Sequence, residues 1–279
     1  MSGAPDCLDF HTHIFPERIA PRAVASLGEL YHAQPAGEAT AAGLTAAMDA
    51  AGVTRSVLLP VATRPDQVRS INRWVCGLSR ERFEPFGAVH PDCPDLEAEL
   101  AYLRDQGVRG VKLQPHFQGY ELAEASTLRM MGQLADMIVV IHAGQEMSPI
   151  PRVPTTPEAL RALHERFPQH RLVVAHLGGF QMWSQAEEFL LGADVYLDLS
   201  FTFGHLDDAT IARLVTGHGV GRVLFGSDYP WALPAYARAG VERLGLPPAD
   251  AQSILAGNAR RLLAPGPAAG REAASGSSH

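Results

Sequence analysis

Eight short apolar or β-branched runs punctuate the chain at near-regular intervals, and the segments between them carry helix start and stop signals. Few folds accept that rhythm. The runs are CLDFHTH (7–13), SVLLPV (56–61), FEPFGAVH (83–90), GVKLQP (110–115), IVVIHAG (138–144), RLVVAHLGG (171–179), VYLDLSF (195–201) and RVLFGSDYPW (222–231). Several are apolar at consecutive positions instead of alternating, as strands covered on both faces of a parallel sheet must be. Between them, Thr40 and Gly52 bound a helix over 40–52, and Pro65 opens one over 65–81. Acids fill the first turn of 94–107, and Thr156, Pro157 and Pro168 delimit 155–168. Further helices are predicted over 124–136, 180–191, 207–217, 234–244 and 248–263. Strand–helix alternation repeated eight times predicts an α/β protein, a single-domain (β/α)8 TIM barrel over residues 1–263, with some distortion allowed. A doubly wound open sheet is the competing arrangement.

Composition narrows what such a barrel works on. The 279 residues hold 23 Lys+Arg against 30 Asp+Glu, a formal charge of −7, and 46% are apolar. That supports a large core, and the acidic balance argues against nucleic acid or an anionic membrane as partner. No run approaches the roughly 18 apolar residues of a membrane span. The opening MSGAPDCLDF lacks the layout of a signal peptide. Cys7, Cys76 and Cys93 are odd in number and widely spaced, which suits a cytoplasmic location better than a disulfide framework. The stretch 264–279 reads as a flexible Ala/Gly/Pro/Ser-rich tail, so His279 is no candidate ligand.

Lone polar residues close the apolar runs. His11 and His13 stand two apart at the carboxyl end of the first strand, on one side of it. His142, His176 and Asp228 end the fifth, sixth and eighth runs, each followed by Gly or Pro within a few residues. Singly, each reads as a hydrogen-bonded strand-end residue. Jointly, four imidazoles and a carboxylate at the one mouth where barrel active sites form call for a divalent metal. Nitrogen and oxygen donors suit Zn²⁺ at about 2.0–2.2 Å, with Mn²⁺, Fe²⁺ and Co²⁺ as alternatives. An ion in such a site lowers the pKa of bound water towards ~7.

Taken together, DFHTHIFP, GVKLQP, VIHAG, VVAHLGG, VLFGSDYPW and ILAGNARRLL resemble the amidohydrolase superfamily. Within it they are most similar to the amidohydrolase-related barrel enzymes that include aminocarboxymuconate-semialdehyde decarboxylase, over about residues 6–263. The resemblance implies one metal held by His11, His13, His142 and Asp228. His176 would then stand beside the metal-bound water, and Asp228 would also move a proton to the leaving group. Lys112 matches the lysine that some superfamily members carboxylate to bridge two metals. The plainer reading is an ammonium paired with an acid; on the first reading His142 and His176 hold a second ion.

The function expected on this basis is metal-dependent hydrolysis of an ester, lactone or amide bond in a small organic substrate. Non-oxidative decarboxylation of a small unsaturated or aromatic acid at the same site is the alternative. Hydrolysis without metal, as in the related pyrone-dicarboxylate lactonases, and a non-catalytic metal-binding role complete the field. Arg64 and Arg152 are candidate clamps for a substrate carboxylate, although each also reads as a solvated loop residue. His116 is a candidate pocket residue, and Trp183, Phe203, Tyr229 and Trp231 are candidates for an apolar wall. An exposed helical ring leaves room for a homodimer.

Overall fold

The computed structural model describes residues 6–264; the tail expected beyond, with His279, lies outside the described residues. The eight apolar runs become nine strands. They are β1 (Leu8–Thr12), β2 (Arg55–Leu58), β3 (Phe83–Pro85), β4 (Gly87–Ala88), β5 (Gly110–Leu113), β6 (Ile138–Ile141), β7 (Arg171–Val174), β8 (Tyr196–Asp198) and β9 (Val223–Leu224). The third run splits because Pro85 brings no N–H to the ladder, yet Phe86 N still donates to Leu58 O at 3.0 Å. β3 and β4 therefore act as one barrel strand.

Every pairing is parallel and follows chain order, β1-β2-β3 and then β4 through β9. The ends meet. Phe10 N donates to Phe225 O at 2.8 Å, Asp228 N donates to His11 O at 2.9 Å, and Thr12 bridges Tyr229. An open doubly wound sheet is thereby excluded, and the fold is the (β/α)8 barrel. Asp9 fastens the same seam, its Oδ1 accepting from His11 N at 3.1 Å and from Ser227 N at 2.9 Å. Complete burial pushes the Asp9 carboxyl up to about 7.

The barrel is filled by Leu8, Phe10, Val57, Leu59, Phe86, Ile138, Val140, Val173 and Leu224. Phe86 meets Phe10 edge-on, ring centroids 5.7 Å apart. A Cβ on residue 110 would collide with the Phe86 ring, which is why glycine stands there. Alternate residues of the strands, such as Val111, Val139, Leu172 and Leu197, pack outward against the helices.

The expected helices form at α2 (Ala41–Ala51), α3 (Val68–Cys76), α4 (Leu96–Asp105), α6 (Ala125–Gly132), α7 (Pro157–Arg166), α8 (Trp183–Leu190), α9 (Asp208–His218) and α10 (Pro234–Arg243). Thr40 and Thr156 cap α2 and α7, accepting from Gly43 N and Ala159 N. Three differences stand out. A helix α1 (Ala20–Tyr31) fills the segment after β1, and a single turn α5 (Pro115–Gln118) follows β5. The last expected helix is three pieces, α11 (Pro248–Gln252), a π-helical turn (Ser253–Gly257) and α12 (Asn258–Leu263). Among the described residues no helix is long and apolar enough to cross a membrane.

Candidate active site

Leu8 and Phe10 face the barrel interior, so strict alternation would turn His11 away from it. A register irregularity between Asp9 and Thr12 resets the parity. His11 and His13 then meet at the mouth with their Nε2 atoms 3.1 Å apart. Asp228 Oδ1 lies 3.4 Å from His11 Nε2 and 3.3 Å from His13 Nε2. It is delivered by a loop in which Asp228 itself takes φ 69°, a left-handed conformation costly for a non-glycine. His176 does the same at φ 57°.

The tautomers of the pair follow from their outer partners. His11 Nδ1 donates to Asp198 Oδ2 at 2.8 Å, and His13 Nδ1 donates to the Leu59 carbonyl at 2.8 Å. Burial, then the Lys112 charge, hold the His11 imidazole well below its ordinary pKa, hence neutral. Both Nε2 atoms therefore converge on one carboxylate. Burial alone would raise the Asp228 pKa, but the His13 hydrogen bond and the neighbouring imidazoles hold it below the usual carboxylate range. Imidazole nitrogens facing an ionised carboxylate form a donor set for a divalent cation, and these three are the metal-capable group found among the described residues.

His142, the fourth ligand the resemblance implies, lies outside that group. Its Nδ1 shares a proton with His176 Nε2 at 3.0 Å, while its Nε2 faces Gln145 O at 3.3 Å and Glu146 Oε1 at 3.4 Å. Burial, then the Lys112 charge, bring His142 down to about 3; burial, then His142, bring His176 down to about 4. Both imidazoles are neutral at physiological pH. Lys112 is fully buried, with Nζ 3.2 Å from His11 Nε2, and burial lowers it to about 8.

The cavity above these groups, about 490 Å³, is lined by the four histidines, Asp228, Gln114, Glu146, Phe180, Phe201 and Trp231 among others. Neither an arginine nor a lysine lines it among the described residues. Arg64 instead pairs with Asp66 at 3.0 Å, and Arg152 with Glu121 at 3.0 Å, both on exposed loops. His116 is exposed beside Phe117. Of the four expected wall aromatics, only Trp231 serves. Trp183 Nε1 donates to His176 O at 3.0 Å and braces that segment from outside. Phe203 is buried in the outer core, and Tyr229 is buried there with its hydroxyl donating to Glu38 O.

Four site residues escape a reading of the sequence: Asp198, Ser200, Glu146 and Phe180. Asp198 is fully buried and its Oδ1 accepts from His176 N at 3.2 Å, so one carboxylate orients His11 and braces the His176 segment. Ser200 Oγ lies 3.0 Å from His11 Nδ1 and 2.9 Å from His176 Nδ1. The VYLDLSF motif contains both, but their partners lie in other strands. A carboxylate that holds the far nitrogen of a metal-binding imidazole typically contributes 10–100-fold in metal affinity. Asp198→Asn is accordingly expected to weaken Mn²⁺ binding by about tenfold or more in a calorimetric titration. Unchanged affinity would take Asp198 out of the site.

The chain belongs to the amidohydrolase family, whose model matches residues 8–264. Among solved structures it is similar to an uncharacterized TIM-barrel protein of Bordetella bronchiseptica, with TM-score 0.71 and 19% identity, covering 93% of this chain and 99% of that one. It is likewise similar to 2,6-dihydroxybenzoate decarboxylase from Rhizobium, TM-score 0.70 and 17% identity, covering 93% and 99%. A third is 5-carboxyvanillate decarboxylase from Novosphingobium aromaticivorans, complexed with manganese and 4-hydroxy-3-methoxy-5-nitrobenzoic acid, TM-score 0.70, 17% identity, covering 94% and 96%. No protein of curated description matches the sequence.

Proposed function

We propose that the chain is a divalent-metal-dependent decarboxylase of a small aromatic or unsaturated carboxylic acid, the alternative of the sequence reading and not its first choice. The observation that carries it is the His11 and His13 Nε2 atoms facing ionised Asp228 at the floor of a cavity that, among the described residues, no arginine or lysine lines. His11, His13 and Asp228 would hold the ion, and His142 would join them on releasing its bond to His176. When bound, the metal supplies the positive charge that seats an anionic substrate and draws electrons from it. Manganese in the 5-carboxyvanillate enzyme makes Mn²⁺ as good a candidate as Zn²⁺.

The chain's own groups do the rest. Loss of CO₂ replaces a carboxyl by a proton at carbon, so the site must hold a proton donor over the substrate. His176 and Asp228 both border the cavity; as a neutral imidazole and an ionised carboxylate, either would first take up a proton from solvent and then deliver it to the carbon that loses CO₂. Phe180, Phe201 and Trp231 offer apolar surface that packs against a planar ring and keeps water away from the developing carbanion.

Hydrolysis is the second reading, favoured by the description of the matched family as amidohydrolases. A panel of hydroxybenzoates and lactones separates the two when CO₂ and product acid are both measured. Protein stripped with chelator and reloaded with Mn²⁺ or Zn²⁺ is expected to release CO₂ from hydroxybenzoates. The metal-free form should lose at least about 10³-fold, the scale of an electrostatic contribution of this kind. Acid released from lactones without CO₂ would install hydrolysis instead, and full activity without stoichiometric metal would remove the ion from either scheme.

A further inference from the structure

Beside the metal-capable cavity lies a second one, about 680 Å³, and the two adjoin: His13, Gln114 and Trp231 line both. Their linings differ in kind. The first presents Asp228, Glu146 and four imidazoles. The walls of the second are Phe15, Leu27, Leu59, Val61 and Phe117, with Pro60 and Pro230, and His13 is its one titratable lining residue among those described. Leu59 sits at the carboxyl side of β2, Phe117 on α5, and Leu27 on α1, so three separate parts of the fold contribute apolar surface to one space.

We infer that this annexe is the subsite for the body of the substrate distal to the reacting group, and that it selects an uncharged apolar substituent several carbons long. The inference rests on the proposed function only for what reacts at the triad. A second carboxylate placed in the annexe would lose its hydration without meeting a guanidinium or ammonium, and a buried unpaired anion is strongly disfavoured. The two arginines that sequence alone offers as clamps are tied to Asp66 and Glu121 on exposed loops. An alkyl or aryl group, in contrast, exchanges water for Leu, Val and Phe side chains. The preferred substrate is thus a monoacid with an apolar tail, and diacids are rejected.

Calorimetric titration of the Mn²⁺-loaded protein with para-substituted benzoates tests this. Each buried carbon of the chain strengthens binding roughly fourfold, so 4-butylbenzoate, with four of them, is expected to bind about 250-fold tighter than benzoate. Terephthalate should bind no tighter than benzoate. Leu27 is half-buried on an outer helix and takes no part in the chemistry, so Leu27→Arg should fold; it is expected to tighten terephthalate by about tenfold, the order of a partly buried ion pair, and to erase most of the butyl advantage. Equal affinity for benzoate and 4-butylbenzoate, or a butyl advantage untouched by Leu27→Arg, would overturn the subsite. Neutral 4-butylbenzyl alcohol separates this failure from that of the proposed reaction. If no benzoate binds but the alcohol does, and Leu27→Arg abolishes it, the carboxylate at the metal is wrong and the annexe stands. If the alcohol also fails to bind, the annexe is wrong.

Discussion

Asp228→Asn is expected to lower turnover by about 10³-fold or more at saturating Mn²⁺, with the thermal transition little changed. The carboxylate is asked to do two things that an amide does poorly. It supplies the negative charge that faces His11 Nε2 and His13 Nε2 at 3.4 and 3.3 Å, and in the proposed reaction it would accept and return a proton beside the substrate. General acid–base groups contribute about 10²–10⁴-fold, so the proton role alone reaches the expected loss. Asparagine keeps the volume and one oxygen acceptor, and the backbone bond from residue 228 N to His11 O survives, so the barrel seam should close as before. Rates measured over a Mn²⁺ titration separate weakened metal binding from lost chemistry: excess metal rescues the former and not the latter. Under a non-catalytic metal-binding role there is no turnover to lose and the substitution shows only in affinity. Turnover within tenfold of the parent at saturating metal would take Asp228 out of the reaction.

What could be read before the structure was the part encoded within single strands. His11 and His13 are separated by one residue, so alternation puts them on one side, but the irregularity between Asp9 and Thr12 that turns them to the mouth is not legible in the sequence; His142, His176 and Asp228 announce themselves as polar ends of apolar runs. Closure of the barrel then brings strand ends from residue 11 to residue 228 to one mouth, as the eightfold alternation implies. What escaped depends on register between distant strands. Asp198 looks like any acid beside a strand, and only its 2.8 Å contact with His11, 187 residues away, gives it a role. The pairing of His142 with His176 instead of with the triad is also a matter of side-chain rotation that spacing does not specify. Arg64 shows the converse: Asp66 stands two residues away, and that local partner takes the guanidinium before any substrate does. Helix α1 is hard to see in the sequence because Pro16 and Pro21 interrupt its start and its apolar residues are largely partly exposed, Leu30 by 52%. That same helix brings Leu27 to the annexe, so the segment least legible in the sequence is the one that shapes specificity.

Lys112 is the sole lysine of the chain, and it is fully buried with its amine directed at the His11 nitrogen that a metal would use. Its nearest influences after burial are the charges of Asp198, Asp228 and Glu146, which oppose the downward shift and leave it near 8. The sign of its effect on metal binding follows. At pH 7 the amine is mostly protonated, and a dication arriving on the same nitrogen must first expel that proton. The gap between pH 7 and a pKa of about 8 corresponds to roughly tenfold, one pKa unit being about 1.4 kcal/mol. Lys112→Met, which keeps the length and removes the charge, is therefore expected to tighten Mn²⁺ binding by about tenfold at pH 7. The gain should vanish above pH 8, where the parent amine is already neutral, and the parent's affinity should climb through that same window while the variant's does not. A carboxylated lysine bridging two ions gives the opposite result: the variant loses metal, the bound stoichiometry falls from two towards one, and the intact mass of the parent exceeds the sequence mass by one CO₂. Titrations at pH 6.5 and 8.5 with elemental analysis decide between them, and loss of metal in the variant at both pH values would overturn the single-ion site built on His11, His13 and Asp228.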